Sequence, residues 1–143
     1  MANDTIKLEL EVPGDDFTRA GEASSTVKGM LKKLGFSPNV VRKVAIAMYE
    51  GEINMVIHGG GGQITVEISP ESGVSMSLVD HGPGIPNIEL AMQEGWSTAP
   101  DSVRNLGFGA GMGLPNMKKY SDEMEILSEV GVGTTVNMKV HLA

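Results

Sequence analysis

Apolar and charged residues alternate from Thr5 to Val12, with Ile6, Leu8, Leu10 and Val12 set against Lys7, Glu9 and Glu11. A period of two predicts a strand with one wet face. Pro13-Gly14-Asp15-Asp16 reads as a turn, with Asp15 or Asp16 as N-cap of a first helix. Phe17, Ala20, Ser24, Val27, Leu31 and Leu34 then recur at steps of three and four, the pattern of an amphipathic helix that Gly35 should close. Ser37-Pro38 supplies the cap and first residue of a second helix, whose core stripe reads Val41, Val44, Ala45 and Met48 and which runs on to His58. Gly59 to Gly62 break it.

Gln63 to Ser69 alternates again, with Ile64, Val66 and Ile68 inward, and a turn over 70–73 leads to a second strand from Val74 to Val79, so the pair predicts a hairpin. Asn87 to Glu94 suits a short helix, and Gly95 to Leu106, without period, a loop. A helix is expected from Leu114 to Tyr120, with Met117 inward and Lys118 and Lys119 outward. Strands from Met124 to Ser128 and Thr134 to Leu142 flank a tight turn at Gly131-Val132-Gly133. The order predicts an α+β fold: a two-layer sandwich with helices on one face of a mixed, mostly antiparallel sheet. Neither repeat nor linker interrupts it, so residues 1–143 are expected to form a single domain.

Composition narrows the function. A net charge of −7 argues against nucleic acid or an anionic membrane as partner, although backbone amides and Mg²⁺ still allow an acidic chain to hold a nucleotide. The absence of cysteine excludes disulfides, thiol catalysis and Cys-based zinc sites. No signal peptide or membrane-length apolar run is visible, so a cytoplasmic protein is expected. Of the 19 glycines, many cluster at 59–62, 82–84 and 107–113.

Three groups of residues carry candidate chemistry. Glu50, Asn54 and His58 are four apart, so one helical face bears a carboxylate, a carboxamide and an imidazole. A solvated helix end would look the same. If the partner is an anion with a metal, Asn54 offers an oxygen suited to Mg²⁺, and Glu50 could position or deprotonate a nucleophile. Glu52 points elsewhere and reads as surface. Asp80-x-Gly82-x-Gly84 at a strand end is a common turn. It would also let a ligand approach the backbone, with an acceptor-only carboxylate to meet an amine such as that of adenine. Gly107, Gly109, Gly111 and Gly113 precede a helix, where free amides and the helix dipole suit phosphate, although flexible-loop and packing readings also fit. Walker A and Rossmann patterns fail, because no Gly-Lys-Ser/Thr follows and Met112 and Leu114 break the glycine spacing. His58-Gly59-Gly60-Gly61 matches an esterase oxyanion pattern, but no Gly-x-Ser-x-Gly accompanies it.

In this order the three groups resemble the GHKL ATPase superfamily of gyrase B, Hsp90, histidine kinases and MutL. Glu50-x-x-x-Asn54 resembles its N box, Asp80-His81-Gly82-Pro83-Gly84 its G1 box, and Gly107 to Gly113 its glycine lid hinge. Gly133-Thr134-Thr135 is similar to the strand whose threonine helps hold adenine. Within the superfamily, Glu94-Gly95-Trp96-Ser97-Thr98 and Gly109 to Pro115 resemble the small serine/threonine kinases of bacterial partner switching, the anti-sigma-factor and stressosome switch kinases. The chain departs from them at Gly51, where alanine is common, at the charged Glu52, and in a longer lid from Ala99 to Phe108.

The resemblance implies a Bergerat-type ATP-binding fold with ATP and Mg²⁺ as cofactors. It makes Glu50 the catalytic base and Asn54 the Mg²⁺ ligand, and puts Asp80 on the adenine amine. Gly82, Gly84, Gly107, Gly109, Gly111, Gly113, Thr134 and Thr135 would line the nucleotide, with Gly109, Gly111 and Gly113 on its phosphates. His58 takes no clear role. The implied activity is phosphorylation of a serine or threonine on a STAS-type antagonist, with a sigma factor or signalling protein as the regulated partner. A nucleotide-gated binding module without turnover and a free-standing histidine-kinase ATP domain are the alternatives. The helix from Phe17 to Leu34 reads equally as a core helix or as a homodimer face.

Overall fold

A computed structural model describes residues 5–14, 19–57, 60–85, 92 and 113–142. In chain order the elements are β1 (Ile6–Pro13), α1 (Glu22–Lys33), α2 (Pro38–Ile57), β2 (Gly61–Ser69), β3 (Gly73–Asp80), α3 (Gly113–Tyr120), β4 (Glu123–Glu129) and β5 (Gly133–Val140). The expected short helix over 87–94 and the loop over 95–106 lie outside the described residues, apart from Met92.

The strands form one five-stranded sheet in the order β1-β2-β3-β5-β4. Every pairing is antiparallel, so the expected mixed sheet is corrected to an antiparallel one among the described residues. Period-two alternation puts Ile64, Val66 and Ile68, then Val74, Met76 and Leu78, then Val136, Met138 and Val140 on the buried face. Lys7, Glu9, Glu11, Gln63, Glu67, Glu123 and Glu125 are exposed, as suits a sheet covered on one side only. Val27 and Leu31 of α1, Val40, Val41, Val44, Ala47 and Met48 of α2, and Leu114 and Met117 of α3 complete the core. Ala45, expected in the core, is only partly buried, and Ala47 takes its place. Among the described residues no helix is long and apolar enough to cross a membrane.

The two helix junctions differ in how they match the sequence. Ser37 caps α2 as its type predicts: its Oγ accepts from the Val40 N–H at 3.3 Å, and Pro38 is the first helical residue. At the end of α1 the Gly35 and Phe36 amides return to the carbonyls of Lys32 and Leu31, closing it as expected. Its start is a correction. The helix begins at Glu22, not Phe17, because Gly21 has a left-handed φ of 102° that cannot continue a helix backwards. Asp15, Asp16 and Phe17 lie outside the described residues.

The cap of α1 comes from another helix. Glu52 of α2, expected at the surface, is 2% exposed. Its Oε2 accepts from the Gly21 and Ala23 amides at 2.9 and 3.1 Å, and its Oε1 from Ser24 at 3.0 Å. A carboxylate at a helix N-terminus satisfies donors that have no partner within the helix and complements the dipole. The Glu52 charge therefore locks α1 to α2, and it faces away from the polar stripe.

Candidate functional site

The site gathers at the sheet end where β3 finishes and β5 starts. Asp80, the last residue of β3, pairs with Gly62 on one side and Thr134 on the other. Its Oδ1 accepts from the Gly82 N–H at 3.0 Å and the Thr134 N–H at 3.2 Å, while Oδ2 has no partner among the described residues. One oxygen is thus held by backbone, and the other is open to a donor. The loop after Asp80 is tied down as well. Pro83 accepts from the Gly131 amide at 2.9 Å, and the Ile85 amide donates to Ser128 Oγ at 2.7 Å. Gly84 has a φ of +82°, and a Cβ there would stand 2.5 Å from the Glu129 carbonyl oxygen, so only glycine lets this loop lie against the β4–β5 turn.

Thr134 is buried, with its hydroxyl 2.9 Å from that of Ser128. Thr135, the neighbouring candidate, belongs by strand alternation to the opposite face, with Asn137 and Lys139. Sequence reasoning missed Ser128. The break in alternation after Glu123 to Ile126, where Leu127 takes an outward place and Ser128 an inward one, was the available signal.

α2 lays its polar stripe across the same region. Gly51 explains how closely: a Cβ there would stand 2.3 Å from Leu78 Cδ2 and 3.1 Å from Met117 Cε. Glycine here brings the helix down onto β3 two residues before Asp80. Met55, next to Asn54, reaches the other flank of Asp80, since its Cε lies 2.9 Å from where a Cβ on Gly62 would be. The structure therefore brings Glu50, Asn54, Asp80, Gly82, Gly84 and Thr134 to one end of the sheet. Gly113 opens α3, whereas His58, Gly107, Gly109 and Gly111 lie outside the described residues.

The chemistry of the stripe depends on what each polar atom already holds. Asn54 Nδ2 donates to Met117 Sδ at 3.8 Å, so its Oδ1 is left without a partner among the described residues, as an oxygen ligand for a hard cation should be. Glu50 is partly buried, and its Oε1 accepts from Asn116 Nδ2 at 3.4 Å. Burial pushes the Glu50 carboxyl above the ordinary glutamate range, and the Asn116 hydrogen bond pulls it partly back. A carboxyl raised toward neutrality is a better proton acceptor than an exposed one while remaining ionisable. The donor set fits Mg-ATP: a carboxylate oxygen for an amine and an amide oxygen for a metal, both without a partner among the described residues, and a shielded carboxylate one helical turn away.

Compared with known proteins, residues 39–143 match the family described as Histidine kinase-, DNA gyrase B-, and HSP90-like ATPase. An anti-sigma F factor of Geobacillus kaustophilus is 32% identical over 126 residues, spanning 85% of this chain and 83% of that protein. The serine/threonine-protein kinase RsbT of Bacillus subtilis is 32% identical over 112 residues, 76% of this chain and 78% of its own. The crystal structure of the RsbU and RsbW domains of a Mycobacterium tuberculosis protein shares the fold, with a TM-score of 0.65 at 16% identity over 96% of this chain and 32% of that one.

Proposed function

The chain belongs to the histidine kinase-, DNA gyrase B- and HSP90-like ATPase family, and on that premise we propose that it is an ATP-dependent serine/threonine protein kinase of a bacterial partner-switching system. Its acceptor is a STAS-type antagonist protein, and the regulated partner is a sigma factor or a downstream signalling protein. It acts in the cytoplasm as one ATP-binding domain. Similarity to an anti-sigma F factor and to a serine/threonine-protein kinase supports this reading. The observation that carries it is the close packing of α2 beside Asp80, Gly51 against Leu78 and Met55 against Gly62, with Asp80 Oδ2 left without a partner among the described residues.

Bound Mg-ATP would supply the phosphoryl group and the cation that neutralises its charge. Asp80 holds the adenine amine through Oδ2, and Gly82, Gly84 and Thr134 shape the wall beside it. Asn54 Oδ1 serves the Mg²⁺. Glu50 would take the proton of the acceptor serine or threonine as the hydroxyl oxygen bonds to the γ-phosphorus, whose bond to the bridging oxygen breaks so that ADP leaves. Gly109, Gly111 and Gly113 would offer amides to the phosphates, with Gly107 beside them in the nucleotide lining.

Asp80→Asn tests the adenine assignment. Oδ1 serves two backbone N–H donors, so an asparagine keeps its carbonyl oxygen there and turns its NH₂ to where Oδ2 stood. That NH₂ then faces the adenine amine, donor against donor. The ligand-free melting temperature should stay near that of wild type. Mg-ADP at a hundredfold excess over Kd should stabilise wild type by about 2.7 kcal/mol and the variant far less. An equal shift in both proteins would remove adenine from Asp80.

A further inference from the structure

α3 meets the polar stripe of α2 at consecutive residues. Asn116 Nδ2 donates to Glu50 Oε1, and Met117 Sδ takes the Asn54 amide. Burial of Leu114 and Met117 already holds α3 in place, so docking of the helix does not require a carboxamide at position 116. Asn116 is half-buried, and its side chain donates to a carboxylate that is itself half withdrawn from water. The bond engages one Glu50 oxygen and leaves Oε2 without a partner among the described residues. A carboxylate with one oxygen engaged and one open has lost rotational freedom about its terminal bond. It therefore presents a defined lone pair to an incoming hydroxyl, the kind of pre-orientation that converts binding into rate.

We propose that Asn116 is a positioning residue for phosphoryl transfer, donating to Oε1 of Glu50 so that Oε2 is turned to the acceptor hydroxyl. The proposal rests on Glu50 being the base. The same bond works against the effect of burial on that carboxyl, so it also favours the ionised form a base requires. Met117 beside it accepts from the Asn54 amide, so two adjacent α3 residues each orient one functional group of α2.

The test uses Asn116→Leu, which is close to isosteric but has no donor, and Asn116→Gln, which restores one. In the nucleotide-free protein, the ¹³C resonance of the Glu50 side-chain carboxyl, at fixed pH, should move in Asn116→Leu and return toward wild type in Asn116→Gln. An unmoved resonance would mean the hydrogen bond is absent in solution and would overturn the proposal. Kinetically, kcat for transfer from Mg-ATP to a STAS-domain acceptor should fall in Asn116→Leu by about tenfold or more, a fraction of what a general base is worth, with Kd for Mg-ATP and KM for the acceptor unchanged. Asn116→Gln should recover part of it. Combined with Glu50→Gln, Asn116→Leu should cause no further loss, because both act through one carboxylate. The same loss in that background, or a rise in Kd that accounts for the effect, would overturn the proposal. Full transfer by Glu50→Gln alone would instead remove the base assignment, and with it Asn116's part in catalysis, while the carboxyl resonance would still report whether the bond exists.

Discussion

Glu50→Gln is expected to bind Mg-ATP as wild type does and to lose about 10²–10⁴-fold in phosphoryl transfer, the usual worth of a positioned general base. Glutamine keeps the shape and can still accept from Asn116, but it cannot take a proton at neutral pH. Asn54→Ala should behave differently, losing Mg-dependent nucleotide affinity together with transfer, because an oxygen ligand is lost instead of a base. The two residues lie one turn apart on α2, so this contrast separates roles that proximity alone cannot.

A pH dependence accompanies the substitution. The acid limb of kcat in wild type should fall above the ordinary glutamate range, because burial raises the Glu50 carboxyl. That limb should be missing from the residual activity of Glu50→Gln. The effect on stability has the opposite sense. A carboxyl raised in the folded state favours folding below its unfolded pKa, and this contribution is lost as pH rises through the folded value. Glu50→Gln should therefore melt no lower than wild type at neutral pH, with any advantage vanishing on acidification. A clearly lower melting temperature at neutral pH would contradict the burial of this carboxylate. Full transfer by Glu50→Gln would remove the general-base assignment.

The second large effect is on stability and concerns Glu52. Glu52→Ala leaves the amides of Gly21, Ala23 and Ser24 without their acceptor, in a place where two of these three hydrogen bonds are buried. Each orphaned buried donor costs about 1–3 kcal/mol, so a total loss of about 3 kcal/mol or more is expected. Chemical denaturation reads it directly, with exposed Glu11→Ala as the control that should change by no more than about 0.5 kcal/mol. Glu52→Gln should fall between them, since one carbonyl oxygen remains while its NH₂ is turned toward amide donors. A loss under about 1 kcal/mol for Glu52→Ala would mean that water or another group caps α1 in solution.

Glu52 also marks where sequence reasoning reaches its limit. Two residues after Glu50 on a helix means a turn of about 200°, which places it off the Glu50–Asn54 stripe, as expected. Which surface lies on that other side is invisible in the sequence, because its partners are backbone amides of a helix some thirty residues away and have no side-chain signature. The start of α1 is illegible for the same reason: apolar spacing from Phe17 suggests a longer helix, whereas the stop at Gly21 and the cap are tertiary features. Elements with strong local signals are legible. The alternation in β2 and β3 yields their inward faces, Ser37-Pro38 the start of α2, and Gly35 the end of α1. Periodicity alone places Met117 inward with Lys118 and Lys119 outward. The meeting of β3 with β5 is a pairing between distant segments, and no local pattern encodes it.

At the site, Glu50 and Asn54 are recognisable from their four-residue spacing, and Asp80 from the glycines that follow it at 82 and 84. The atoms that orient them are not. Asn116, Met117, Ser128 and the Thr134 amide reach the stripe or the Asp80 loop only through the packing of α3, β4 and β5. Gly51 carries no signal of its role in sequence. In the fold it is the contact that lowers α2 onto Leu78.

The central claim, that this chain transfers phosphate to a hydroxyl amino acid, is tested most directly by incubating it with Mg-ATP labelled in the γ-phosphate and a STAS-domain protein from the same genome. The account predicts label on the STAS protein, stable to acid as a phosphoserine or phosphothreonine ester is, and absent with Glu50→Gln. Tight Mg-ATP binding with no label on the acceptor, or label that acid removes as it does from phosphohistidine, would contradict it.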